Sequence, residues 1–195
     1  MNGGPICSME KVPNYGKTLS IFDKEWINMA FQEIDVTKLK QNPFQLIGKD
    51  WALVTAGTPE KFNTMTVSWG NMGVMWNKNI VTAFIRPQRY THEFLETKDS
   101  FTLSFYHENM RKALALCGKV SGREVDKVKE TGLKPVFDGE HIYFEQAKLV
   151  FLCKKIYRDQ IRPDGFLADY IGSSYPEKDY HDIYMGEIVK AYIQE

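Results

Sequence analysis

Asn63-Thr64-Met65-Thr66-Val67-Ser68-Trp69-Gly70 is the stretch on which the fold turns. Its period of two sends Thr64, Thr66 and Ser68 to one face of a strand and Met65, Val67 and Trp69 to the other. Two dispositions of that strand, Thr64–Trp69, remain open. Either the apolar face is the core and the hydroxyls are wet, or the hydroxyls look inward. In the second case each unpaired hydroxyl costs roughly 1–3 kcal/mol, and a flat polar ligand would satisfy them.

Outward from this stretch the chain repeats the same kind of signal. Ala52–Ala56, Ile80–Ile85, Phe101–Phe105, Lys148–Tyr157 and Tyr184–Ile193 are rich in Val, Ile, Thr and aromatic residues and are bounded by Gly, Pro, Asn and Asp, so they read as strands. Between them lie three helical candidates: Thr91–Thr97 with Thr91 as N-cap, Met110–Leu116 and Val125–Glu130. These are too short and too few to cover both faces of a parallel sheet. The fold class is therefore mainly β, an antiparallel barrel decorated by short helices. Residues 1–28, with Gly3, Gly4, Pro5, Pro13 and Gly16 and no sustained period, read as an irregular arm ahead of one domain over 29–195.

Composition bounds the partners. A chain of 195 residues can bury about 70% of its extended surface, enough for one core without a disulfide or metal staple. Apolar residues make up 43% and charged residues 26%, which excludes a disordered chain. Lys plus Arg and Asp plus Glu both number 25, so the basic excess of a nucleic-acid binder is missing, and the low net charge favours a homo-oligomer. Cys7, Cys117 and Cys153 have no Cys-x-x-Cys spacing and the four histidines are scattered, so free thiols in a cytoplasmic protein without a metal are expected. No apolar run approaches the ~18 residues of a membrane span, and the first residues lack the pattern of a secretory signal.

Three further segments carry candidate chemistry. In Arg86-Pro87-Gln88-Arg89-Tyr90-Thr91, Pro87 ends a strand ladder and leaves two guanidinium groups around one corner. They could hold a phosphate dianion bidentately with Thr91 at a helix start, or pair on the surface with Glu93 or Glu96. In Cys117-Gly118-Lys119-Val120-Ser121-Gly122-Arg123, two glycines, Ser121 and basic side chains can cradle an anion, or form a solvated connection. Cys117, near Lys119, is either a reactive thiol or a small buried hydrophobe. His181 could orient a substrate or donate a proton, or be a hydrogen-bonded structural residue. No Walker A, G-x-G-x-x-G or G-x-S-x-G pattern occurs.

Taken in order, Asn63 to Gly70, Phe84 to Thr91, Phe101 to Phe105, Cys117-Gly118 with Ser121 to Lys127, and His181 leading to Tyr184-Met185-Gly186-Glu187-Ile188, resemble the flavin reductase-like family with an FMN-binding split β-barrel, in its flavoredoxin-type branch. The resemblance runs from about Met29 to Glu195. It implies FMN held non-covalently at a homodimer interface. Asn63, Met65, Thr66, Ser68 and Trp69 would contact the ring, and Arg86, Arg89, Tyr90, Thr91 and Ser121 the phosphate and ribityl chain. His181 would help dock the nicotinamide, and Cys117 matches a cysteine of flavoredoxin-like relatives. The implied activity is an NAD(P)H-dependent flavin reductase, in which flavin N5 takes a hydride from NADH or NADPH and passes electrons to an acceptor. The alternative is an electron carrier with tightly bound FMN, a redox protein partner and no NAD(P)H turnover; a flavin-free binding barrel is the third reading.

Overall fold

The computed structural model describes residues 31–194; the arm expected over 1–28, with Cys7 and Met29, lies outside them. A short β1 (Gln32–Glu33) and a turn of helix α1 (Pro43–Gln45), capped by the Asn42 side chain, lead into β2 (Ala52–Thr58), β3 (Lys61–Val67), β4 (Gly70–Met75) and β5 (Lys78–Ile85). Helix α2 (Tyr90–Thr97) is followed by β6 (Ser100–Tyr106), α3 (Arg111–Lys119) and α4 (Lys127–Thr131). A small hairpin of β7 (Pro135–Asp138) and β8 (His141–Phe144) then precedes the long strands β9 (Ala147–Gln160) and β10 (Asp182–Ile193).

The main sheet is antiparallel throughout, in the order β3-β2-β6-β9-β10-β5-β4, with β1 added to β10. It curls until side chains from β2, β3, β5, β6, β9 and β10 share one core: Val54, Met65, Val81, Ile85, Phe101, Phe105, Phe151 and Tyr184 belong to a single buried cluster with Phe94 and Leu95 of α2. Consecutive strands β3 and β4 stand at opposite ends of the hydrogen-bonded order, so the barrel is split there. The chain crosses the split through Ser68-Trp69. A second core, containing Leu53, Tyr106, Leu114, Cys117, Phe144 and Leu152, lies where α3 and the β7–β8 hairpin cover the outer face of β2, β6 and β9.

The expected mainly β barrel with short helices is what forms, and every expected helix end lies within three residues of the observed one. Two local expectations need correction. The strand ends at Val67 rather than Trp69, because Ser68 and Trp69 leave the ladder to cross the split. Thr91 is not an N-cap: Arg89 holds that position without a side-chain bond, and Thr91, fully buried one residue inside α2, accepts a hydrogen bond from Asn63 Nδ2 at 2.8 Å. Gly186 of β10 explains part of the Tyr184–Ile188 motif. A Cβ there would sit 2.7 Å from Cys153 Cβ and from Phe101 Cζ, so only glycine lets β10 lie this close to β9 and β6.

Candidate functional site

The break between β3 and β4 opens into a cavity of about 290 Å³ whose wall includes Met65, Thr66, Ser68, Trp69, Phe84, Arg86, Arg89, Gly118 and His181. Ser68, Trp69 and Phe84 also line an adjoining apolar cavity of about 630 Å³ floored by Phe44, Ile47 and Met72. Together they form a groove with one polar, cationic end and one apolar end, in the size range of cofactor sites. Seven of the residues read from the sequence thus meet at one place: Met65, Thr66, Ser68, Trp69, Arg86, Arg89 and His181.

The row of hydroxyls behaves differently from either disposition considered above. Met65 and Val67 enter the barrel core, but the opposite face is not wet, because α3 covers it. Thr64 Oγ1 lies 2.9 Å from Thr55 Oγ1 and donates to the Val54 carbonyl at 3.2 Å, and Thr66 Oγ1 donates to the Leu114 carbonyl of α3. The protein itself therefore satisfies Thr64 and engages the Thr66 proton, and of the three hydroxyls only that of Ser68 is exposed.

The two arginines part company as well. Arg86 forms an ion pair with Asp179, which also accepts from Gln88, and donates to the Ser174 carbonyl at 2.8 Å. Glu93 pairs with Arg123 and Glu96 with Arg158 at 2.8 Å, so the carboxylates that could have quenched the corner pair are occupied elsewhere. Arg89 makes no ion pair with any described residue. Its guanidinium donates to the main-chain carbonyls of Gly118 at 2.6 Å and Cys117 at 3.4 Å, and burial, helped by the neighbouring Arg86 charge, pushes its pKa down. Lys127 reinforces the same place from behind. Its buried ammonium donates to the carbonyls of Thr64 at 2.8 Å and Cys117 at 2.9 Å, and burial lowers it to about 8.

Asn63 and Tyr90 line a different cavity, of about 620 Å³, with Gly122, Arg123 and Lys127. Arg123 lies over the Tyr90 ring at 4.7 Å. Gly122 is required here because a Cβ would meet Asn63 Oδ1 at 2.0 Å. Ser121 lines neither cavity; its Oγ accepts from the Arg123 amide at 3.2 Å.

Of the two readings of Cys117, the structure has the small buried hydrophobe. Its side chain is fully buried in the second core, and burial pushes the thiol up to about 11 against the opposing charge of Lys127; Lys119, the residue expected to activate it, is not among the causes. An apolar setting withholds the thiolate that reactivity requires. Cys117 should therefore resist alkylation in the folded protein at pH 8 and label fully in denaturant, as read by peptide mapping; equal labelling in both states would contradict the burial.

His181 is buried at the cavity wall and has its Nδ1 2.9 Å from the Tyr175 hydroxyl, with the Trp69 ring centroid 4.9 Å away. Burial first, then the Arg86 charge, pushes it down to about 4, so the imidazole is neutral at physiological pH. Tyr175 and Asp179, which define the surroundings of His181 and Arg86, come from the segment between β9 and β10, where no hydrophobic period marks them. Among the described residues no group of three His, Cys, Asp or Glu side chains could hold a metal, and no helix is long and apolar enough to cross a membrane.

A family model described as the flavin reductase like domain matches residues 45–195. A search of curated proteins gave no significant match. Among solved structures, the flavoredoxin from Methanosarcina acetivorans is 22% identical with a TM-score of 0.58, over 81% of this chain and 76% of that one. The FMN-binding protein from Thermus thermophilus with bound p-hydroxybenzaldehyde is 18% identical with a TM-score of 0.60, over 96% and 83%. The NADH:FAD oxidoreductase from Streptomyces globisporus C-1027, in complex with NAD and FAD fragments, is 17% identical with a TM-score of 0.55, over 73% of each chain. At these identities the structural likeness shows the fold, the split barrel.

Proposed function

The chain belongs to the flavin reductase-like family, and on that premise we propose that it is an FMN-dependent oxidoreductase that takes reducing equivalents from NADH or NADPH and passes them to an acceptor. The observation that carries this reading is Arg89, a half-buried cation with no ion-pair partner among the described residues, at the polar end of a groove whose other end is apolar. A desolvated charge without a counter-charge is unfavourable, and a phosphate monoester would supply both the charge and the acceptor oxygens that a guanidinium fork matches.

The residues present fit such a group. Arg89 would hold the phosphate, with Arg86 near it but committed to Asp179; Ser68 offers a free hydroxyl, and Met65, Trp69 and Phe84 an apolar wall, to the ring. Asn63, Tyr90, Thr91 and Ser121 would act from behind, by shaping the corner, rather than through the cavity wall. Bound FMN would supply two-electron chemistry at ring N5. The chain's own part is to position the two nucleotides, exclude water and present hydrogen-bond donors where negative charge develops. The exposed apolar side chains Phe44, 86% accessible, and Leu167, 98% accessible, support pairing of two copies, and we take residues 29–195 as the catalytic domain of a cytoplasmic protein.

An absorbance scan of the purified protein, repeated anaerobically after adding NADH, tests the reading. A visible flavin band that bleaches with NADH or NADPH, with steady turnover on free FMN, is the expected result. A band that resists both nucleotides would replace the reductase with an electron carrier working between protein partners. A colourless protein that takes up no FMN would leave a flavin-free binding barrel.

A further inference from the structure

Tyr175 lines neither the polar cavity nor its apolar neighbour, yet its hydroxyl ends on the one imidazole that does line the polar one. Its ring is held on three sides: stacked on Phe166 at 5.9 Å and 20°, tilted against Tyr180 at 5.1 Å, and edge-on to Trp69 at 6.4 Å. The Arg86 guanidinium lies 5.3 Å from its centroid. Tyr175 is itself buried, and burial raises its pKa, so the phenol keeps its proton. A phenol that keeps its proton has an O–H to give away, and the acceptor within reach is His181 Nδ1 at 2.9 Å.

We propose that Tyr175 is a positioning residue that fixes His181 as the tautomer protonated on Nε2, so that the ring offers the cavity a neutral N–H donor. A neutral imidazole carries a single proton, and an Nδ1 that accepts from a phenol obliges Nε2 to hold it. The orientation is fixed too. The His181 carbonyl accepts from the Ile161 amide at 2.9 Å, and Trp69 lies against the ring. The charged groups around this imidazole are Arg86 from the end of β5, Asp179 from the connecting segment and Asp182 from β10. Arg86 opposes a second proton and the two carboxylates favour it, with burial tipping the balance to the neutral form. The ligand class that such a donor recognises is an uncharged acceptor oxygen on a flat heterocycle, such as a carboxamide carbonyl. In assigning that oxygen to the nicotinamide donor, the inference rests on the reading above; the tautomer does not.

Long-range proton–nitrogen NMR of the histidine side chains at pH 7, with His181 assigned by the signal lost in His181→Gln, reads the tautomer directly in the free protein. The expected result is a proton on Nε2 alone in the parent chain and a mixture of tautomers in Tyr175→Phe, which keeps the ring contacts. In turnover, Tyr175→Phe should raise KM for the nicotinamide donor about 3- to 10-fold, the worth of one neutral hydrogen bond, with kcat little changed. A proton on Nδ1 in the parent chain, measurable without any variant, overturns the proposal, as does an unaltered spectrum in Tyr175→Phe. An Nε2 proton in a protein that takes up no flavin would sink the proposed function and leave the role of Tyr175 standing.

Discussion

His92→Ala should lower the stability of the fold by about 3 kcal/mol, enough to bring the thermal midpoint down by roughly 6–12 °C for a chain of this size. The reason lies in Asp182, the residue after His181 and the first of β10. It is 2% exposed and is flanked by β5 and β9, where it faces Ile85 and Gln160. Its carboxylate takes a hydrogen bond from His92 Nε2 of α2, and Arg158 of β9 approaches its other oxygen at 3.5 Å without making a hydrogen bond to it. Arg158 is half-exposed and shared with Glu96, which also accepts from the Tyr184 hydroxyl at 2.6 Å. Among the described residues His92 is therefore the one group that gives this buried carboxylate a direct hydrogen bond.

Removing His92 leaves a desolvated charge behind, whereas Asp182→Asn removes the charge and keeps the shape, so the first substitution should be the more damaging. In an Asp182→Asn background His92→Ala should cost much less, and the difference is a coupling that urea denaturation measures in a double-mutant cycle. Equal costs in the two backgrounds would mean that the carboxylate and the ring do not stabilise each other. The network ties α2, β9 and β10 together at Asp182, the residue next to His181.

How much of this was legible follows from where the partners lie. Strands β2, β5, β6, β9 and β10 announce themselves because β-branched and aromatic residues alternate within each. Strand β4 does not: Gly70, Asn71 and Gly73 lower its propensity, and pairing with β5 at the edge of the sheet carries it instead. The β7–β8 hairpin was missed, although Asp138-Gly139 between apolar runs, with Gly139 at φ +61°, a backbone that favours glycine, is a turn signal that could have found it. Period two sorted Thr64 and Thr66 from Met65 and Val67 correctly, but it could not say what answers the hydroxyls. Thr55 answers one from nine residues upstream and Leu114 the other from 48 residues downstream.

The same limit applied to charge. The corner Arg86-Pro87-Gln88-Arg89 was visible as a pair, and local spacing named Glu93 and Glu96 as its competitors. The actual competitor of Arg86 is Asp179, 93 residues away, and those two glutamates serve Arg123 and Arg158. Only the fold separates the committed arginine from the free one.

Arg89→Ala should accordingly weaken FMN binding by about 1.5–3 kcal/mol, the worth of a hydrogen bond to a charged group, or roughly 10- to 150-fold in Kd. The loss should be selective for the phosphate: riboflavin, which has the ring and ribityl chain but no phosphate, should bind the variant as it binds the parent chain. Arg86→Ala should cost less than Arg89→Ala, because Arg86 already spends its guanidinium on Asp179 and the Ser174 carbonyl. Folding should be almost untouched by Arg89→Ala, since Lys127 continues to donate to the Cys117 carbonyl and a desolvated cation has been removed. Arg89→Lys keeps the charge without the fork and should recover part of the affinity. Flavin fluorescence titration of FMN and riboflavin against the parent chain and the three variants decides the matter. An unchanged FMN affinity in Arg89→Ala, or an equal loss for riboflavin, would remove Arg89 from the phosphate site and leave the unpaired guanidinium without a ligand to explain it.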